Sequence, residues 1–165
     1  MRRPNRVEPG PGQESVWDYP RPPRVEPTSS LVEVVLGGRV VARTTRALRV
    51  LETSHPPTYY IPMADFAEGS LVPAAGTSFC EWKGTASYLD VHGGNVVAER
   101  AAWYYPEPST AFAELRDHVA VYPGAMERCL VDGEVVRPQP GGFYGGWITS
   151  RVVGPFKGDP GTRSW

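Results

Sequence analysis

Apolar and β-branched residues fall into short runs along this chain, broken by glycine or proline, and the runs predict strands. Val32-Glu33-Val34-Val35-Leu36 and Arg39-Val40-Val41-Ala42-Arg43-Thr44 flank Gly37-Gly38, which reads as a hairpin. The pattern returns at Tyr88-Leu89-Asp90-Val91-His92, Gly93-Gly94 and Asn95-Val96-Val97-Ala98-Glu99-Arg100. Val-Val-Ala stands at the same offset from the glycine pair in both. A weaker third copy, Cys129 to Val136, turns at Asp132-Gly133, a favoured two-residue hairpin turn. The repetition fits an internal duplication or a chance similarity between hairpins. Further strands are expected at Ala47–Glu52, Thr58–Pro62 and Thr77–Gly84. One helix is expected after the caps Ser109 and Thr110, with Phe112, Leu115 and Val119 sharing a face, ended by Tyr122-Pro123-Gly124. A short turn is expected from Met63 to Phe66.

Residues 1–30 read as a Pro-rich arm. Because it carries Trp17 and Tyr19, it is expected to pack on the body. Residues 31–137 hold the periodic strands. Residues 138–165 form a Gly/Pro/aromatic tail, expected to wrap over the sheet. The fold class is therefore mainly β, antiparallel and built from hairpins, with one or two short helices.

Composition narrows this picture. A length of 165 residues suits one domain, and a hydrophobic fraction of 41% with 11% aromatics supplies a core, which argues against a disordered chain. Eighteen glycines and eighteen prolines fit many turns better than long helices. A net charge of −1 lacks the basic footprint of nucleic-acid binding. No apolar run is long enough for a membrane helix. The start, Met1-Arg2-Arg3-Pro4-Asn5-Arg6, has no apolar stretch after it, so no secretory signal is read and a cytoplasmic location is expected. Cys80 and Cys129 lack the C-x-x-C spacing of a zinc site.

Several segments together resemble the DUF427 family. They are Glu52-Thr53-Ser54-His55-Pro56-Pro57-Thr58-Tyr59-Tyr60, Cys80-Glu81-Trp82-Lys83-Gly84, Ala102-Trp103-Tyr104-Tyr105-Pro106, Val121-Tyr122-Pro123 and Asp132-Gly133-Glu134. The resemblance covers roughly residues 31–137. The arm from Ser15 to Arg24 and the tail from Gly141 are similar to a longer subgroup. It implies an Mss4-like, β-tent arrangement of antiparallel sheets. It also brings a nucleotidyltransferase label that no Walker loop, and no Gly-Ser motif with paired aspartates, supports here. Zinc, which some β-tent proteins hold through C-x-x-C pairs, is not carried over.

The chemistry-bearing residues lie mostly inside those motifs. If residues 79–85 continue as a strand, Glu81 and Lys83 share one face and Cys80 and Trp82 the other. Glu81 beside Lys83 is either a proton-transfer pair or a weak surface ion pair. Lys83 lacks the K-x-D-G context of nucleotidyl-lysines. His55, held before Pro56-Pro57 and within reach of Glu52, is either a group titrating near neutrality or a hydrogen-bonding turn residue. Cys80 as a nucleophile needs a nearby positive charge, and alternation puts it opposite Lys83, so it reads more simply as a small buried residue. His118, expected on the helix, and His92, at a hairpin tip, read as structural or solvated.

The leading expectation is a small-molecule pocket, with or without acid–base catalysis. Glu52, His55, Glu81 and Lys83 are its polar groups, and Tyr59, Tyr60, Trp82 and Trp103 its walls. No cofactor, metal, nucleic acid or membrane is implied. The alternative is a non-catalytic interaction module or homodimer using the arm and tail. A third reading, nucleotidyl transfer, comes from the family label alone.

Overall fold

A computed structural model describes residues 4–165. Met1, Arg2 and Arg3, part of the basic start read in the sequence, lie outside the described residues. The fold is mainly β. A seven-stranded antiparallel sheet runs in the order β2 (Arg24–Pro27), β5 (Leu48–Leu51), β6 (Thr58–Pro62), β10 (His118–Val121), β9 (Val96–Tyr104), β8 (Gly84–Gly93) and β7 (Leu71–Cys80). A four-stranded antiparallel sheet runs β12 (Glu134–Val135), β11 (Arg128–Val131), β3 (Val32–Leu36) and β4 (Arg39–Thr44). Two short ladders tie in the ends of the chain. In one, β1 (Glu14–Ser15) pairs in parallel with β15 (Val152–Val153); in the other, β13 (Arg137–Pro138) pairs antiparallel with β14 (Trp147–Ile148).

Strand alternation divides the seven-stranded sheet between two cores. Tyr59, Ile61, Leu89, Val91, Ala102, Val119 and Val121 pack against Val32, Val34, Leu36, Val41 and Cys129 of the four-stranded sheet. Their sequence neighbours point the other way. Tyr60, Trp103, Tyr105 and Ala120 form a second cluster with Ala86, Phe112 and Leu115. A bulge between Val34 and Val35 leaves Val41 as the extra residue of β4. Val41 is thereby buried while Val40 stays half exposed.

The Gly37-Gly38 and Gly93-Gly94 hairpins, which carry the repeated pattern, belong to different sheets and meet tip to tip. A Cβ on Gly37 would overlap the Gly93 carbonyl, and Gly37 itself has φ +60°. The third expected hairpin also forms, with Leu130 opposite Val135 across Asp132-Gly133.

Two expectations fail. Residues 109–119 do not form an α-helix. Thr110–Leu115 is a 3-10 segment broken at Phe112 (φ −120°, ψ 23°). Asp117 then takes φ 61°, and His118 begins β10 rather than ending a helix. The apolar residues Phe112, Leu115 and Val119 are all buried. Val119 reaches the core as a strand residue between β6 and β9, so a three-point helical spacing was satisfied by another geometry. The second failure is the continuous strand through residues 79–85. β7 ends at Cys80 and β8 begins at Gly84, so Glu81-Trp82-Lys83 is a turn. Gly84 has φ +109°, a conformation that favours glycine.

The arm and tail pack on the body together. Val16, Trp17, Tyr19, Leu51 and Val152 make a third apolar cluster. The Trp17 indole donates to the Pro155 carbonyl at 2.9 Å and meets Trp165 edge-on at 5.3 Å. Trp147 is fully buried beside Tyr59, with ring centroids 4.9 Å apart.

Candidate functional site

The face of the seven-stranded sheet turned away from the second sheet is covered only in part. It carries a cleft of about 650 Å³. Tyr60, Trp103, Tyr105, Tyr88 and Tyr122 reach it from β6, β9, β8 and the residues following β9 and β10. The Trp103 indole donates to the Tyr60 hydroxyl at 3.2 Å, and the Trp103 and Tyr122 rings lie 4.5 Å apart. The tail adds the far wall: Gly145 stands so close to the Trp103 ring that any Cβ there would strike it. Phe79 and Phe143 stand at the rim, 77% and 74% exposed. Burial holds the Tyr60 and Tyr105 hydroxyls above their ordinary range, with neighbouring tyrosines adding to it for Tyr105. Both are neutral at neutral pH and can donate or accept hydrogen bonds.

Lys83 is the charged group set into this aromatic surface. The turn that carries it is held from outside the sheet. Ser109 Oγ donates to the Trp82 carbonyl at 2.6 Å, and Ser109 N–H donates to the Lys83 carbonyl at 3.0 Å. Lys83 is only 9% exposed. Its Nζ donates to Cys80 Sγ at 3.3 Å and lies 5.9 Å from the centroids of both the Tyr105 and Phe112 rings. Among the described residues no carboxylate oxygen lies within 4.0 Å of it. Burial opposes its charge, the hydrogen bond to Cys80 and the Glu52 carboxylate favour it, and its pKa stands above the ordinary lysine value. Lys83 is therefore an ammonium at neutral pH, with one thiol for a partner and N–H donors to spare.

Of the residues expected from the sequence, Glu52, Tyr60, Glu81, Trp82, Lys83 and Trp103 line this cleft. Two corrections follow from the turn at residues 81–83. Glu81 is exposed and does not sit beside Lys83 on a strand face, and Cys80, expected opposite Lys83, touches it. Tyr59 faces the inter-sheet core and lines a different depression beside Arg49, because adjacent residues of a strand point to opposite faces.

His55 sits behind the cleft rather than in it. Its Nε2 is 3.6 Å from Glu52 Oε2, and Glu52 is also 3.5 Å from Arg21. The Gln139 amide fixes the imidazole. Gln139 Oε1 accepts from Gly146 N–H at 3.1 Å and Nε2 donates to the Lys157 carbonyl at 2.8 Å, so the Nε2–H facing His55 must also donate, to Nδ1 at 3.0 Å. The ring proton is thereby on Nε2, toward Glu52. Burial, then the charges of Lys157 and Arg21, push the His55 pKa down to about 4. The imidazole is neutral at neutral pH and clasps the tail, with Tyr144 edge-on at 4.9 Å.

Cys129 lies in the inter-sheet core, its thiol pushed up to about 12 by burial. Cys80 lies on the other face, and both are free thiols. Tyr88 and Tyr144 belong to the cleft although sequence reasoning did not select them for it; Tyr105 and Tyr122, which stand in the clustered aromatic motifs, line it too. The alternation that places Trp103 there also places Tyr105. Tyr144 arrives from the tail, and no local pattern signals its position.

No curated protein matches the chain. A family described as a domain of unknown function, DUF427, matches residues 24–132, well over half of the sequence and every strand that supplies the cleft floor. The chain belongs to the DUF427 family.

Proposed function

We propose that the cleft binds a small, flat molecule that presents an acceptor oxygen, a carboxylate above all, to Lys83. The carrying observation is the Lys83 ammonium: nearly buried, flanked by aromatic rings, and lacking a carboxylate partner among the described residues. A buried charge without a counterion is costly, and an anionic ligand supplies the missing partner. The rings of Tyr60, Trp103, Tyr105 and Tyr122 suit a planar apolar body. The volume matches the ordinary range for small-molecule sites, about 300–1,000 Å³.

Acid–base chemistry in this cleft centres on Glu52, which lines it and is backed by the Nε2–H of His55. Glu81, at the rim, serves the entrance. A neutral His55 is a positioning group in this arrangement.

The test is a thermal-shift and calorimetric comparison of benzoate, benzyl alcohol and nucleotides on the wild-type protein and on Lys83→Met. Benzoate binding is expected to weaken about 10- to 150-fold in the variant, the equivalent of one charge-assisted hydrogen bond worth about 1.5–3 kcal/mol. Benzoate binding of equal strength in both proteins refutes the role of Lys83. A nucleotide that binds as strongly to Lys83→Met as to wild type refutes it too, and sends attention to nucleotidyl transfer.

A further inference from the structure

Two observations in the cleft converge on chemistry beyond holding a ligand. The first is the contact of Lys83 Nζ with Cys80 Sγ, 3.3 Å. Cys80 is half-buried and lines the cleft, so its sulfur is within reach of a bound molecule. The second, independent of the sulfur, is that the Lys83 ammonium is nine-tenths buried with N–H donors left over and opens on the same cleft. A thiol beside an ammonium is the setting in which protein cysteines react. Donors next to the point of attack are what an oxygen gaining negative charge requires.

We propose that Cys80 is a nucleophile that captures the carbonyl carbon of a flat aldehyde, with Lys83 transferring the proton. The proposal rests on the cleft being a binding site for such a molecule. In the step, the Cys80 S–C bond forms as the π bond of the carbonyl breaks. The Lys83 ammonium gives a proton to the carbonyl oxygen and takes the proton that the thiol loses. The product is a hemithioacetal, the ammonium is restored, and no oxidant or leaving group is needed.

The aldehyde class follows from the geometry. A carbon bonded to Sγ places its oxygen next to an Nζ only 3.3 Å from that sulfur. Alkyl halides and disulfides carry no carbonyl oxygen that would use this donor, and an aldehyde, unlike an ester or thioester, has no leaving group that must be protonated and released. Cys129 cannot substitute, being sealed in the inter-sheet core. The rings of Trp103, Tyr105 and Tyr122 then hold the planar body.

Benzaldehyde and benzoate are the probes, with wild type, Cys80→Ser, Lys83→Met and Lys83→Arg as the proteins. Alkylation of Cys80 by iodoacetamide, followed by peptide mass mapping, is expected to run at least about tenfold faster than that of glutathione at neutral pH. Lys83→Met is expected to remove this advantage and Lys83→Arg, which keeps the charge, to retain most of it. Benzaldehyde is expected to raise the melting temperature of wild type but not of Cys80→Ser, whereas benzoate raises both. Benzaldehyde stabilising Cys80→Ser as much as wild type overturns the covalent step and leaves the binding site standing. Neither compound stabilising either protein overturns both. A Cys80 no faster than glutathione, or a borohydride-trapped adduct on Lys83 instead of Cys80, also overturns the proposal. Cys80→Ser changes one atom in a half-buried position, so its fold is expected to survive even if Lys83→Met does not.

Discussion

Acidification is expected to weaken this fold through one imidazole before any carboxylate is involved. His55 is neutral in the folded protein, with a pKa of about 4 against an ordinary 6.5, because it is buried and faces Lys157 and Arg21. The unfolded chain therefore binds a proton that the folded one refuses whenever the pH lies between those values. Stability rises with pH across that interval, and it is fully present only above the ordinary histidine value. Between about pH 7 and pH 5 the linkage amounts to about 2 kcal/mol, most of a total near 3 kcal/mol that the two pKa values allow. Glu14, Asp65, Asp132 and Glu134 are held below their ordinary values by Arg49, Thr44, Leu31 and Ser150 respectively. Their contributions fade only as the pH falls below the ordinary carboxylate range, outside this interval. Urea unfolding followed by tryptophan fluorescence at pH 7, 6 and 5 measures the loss in wild type and in His55→Asn. The variant is expected to start less stable but to lose little more on acidification. An equal loss in both proteins, or a flat wild-type profile, refutes the reasoning.

Gln139→Ala strands three buried partners at once, the Gly146 N–H, the Lys157 carbonyl and His55 Nδ1. About 3 kcal/mol of destabilisation is expected by denaturant titration, with the tail becoming sensitive to limited proteolysis. Gly145→Ala drives a methyl group into the Trp103 ring. A cost of about 1–3 kcal/mol is expected from overpacking, together with weaker benzoate binding by calorimetry. Ser109→Ala removes the hydroxyl that holds the Trp82 carbonyl. A cost of about 1 kcal/mol is expected in stability, and benzoate affinity should fall although Ser109 does not line the cleft.

Local chemistry made the hairpins legible. Gly37-Gly38, Gly93-Gly94 and Asp132-Gly133 marked their turns, and β-branched runs marked their strands. The turn at Glu81-Trp82-Lys83 was hidden because its punctuation is Gly84 alone, whose φ of +109° follows the turn instead of opening it. That single misreading separated Cys80 from Lys83 in the sequence-based picture. The segment from Ser109 to Val119 failed for a different reason. Phe112, Leu115 and Val119 fit a helical face, yet β6 and β9 offered His118–Val121 strand partners on both sides, and tertiary pairing overrode a short periodicity. The part of the candidate cleft carried by compact motifs was legible. Tyr144 and Gly145, and Gln139 behind the cleft, were not, since their positions follow from how the tail returns across the sheet.

The far wall of the cleft has a consequence for the order in which the protein is made. Every strand of the seven-stranded sheet lies before residue 122, whereas Phe143, Tyr144 and Gly145 are synthesised later. A chain that pauses in between can pair those strands and bury much of the inter-sheet core, which still lacks Trp147. It then presents Tyr60, Trp103 and Tyr105 as an open aromatic surface, with Lys83 and Cys80 at its edge. That interval is when chaperones would find the chain, when stray electrophiles could reach the thiol, and when premature termination would leave a sticky product.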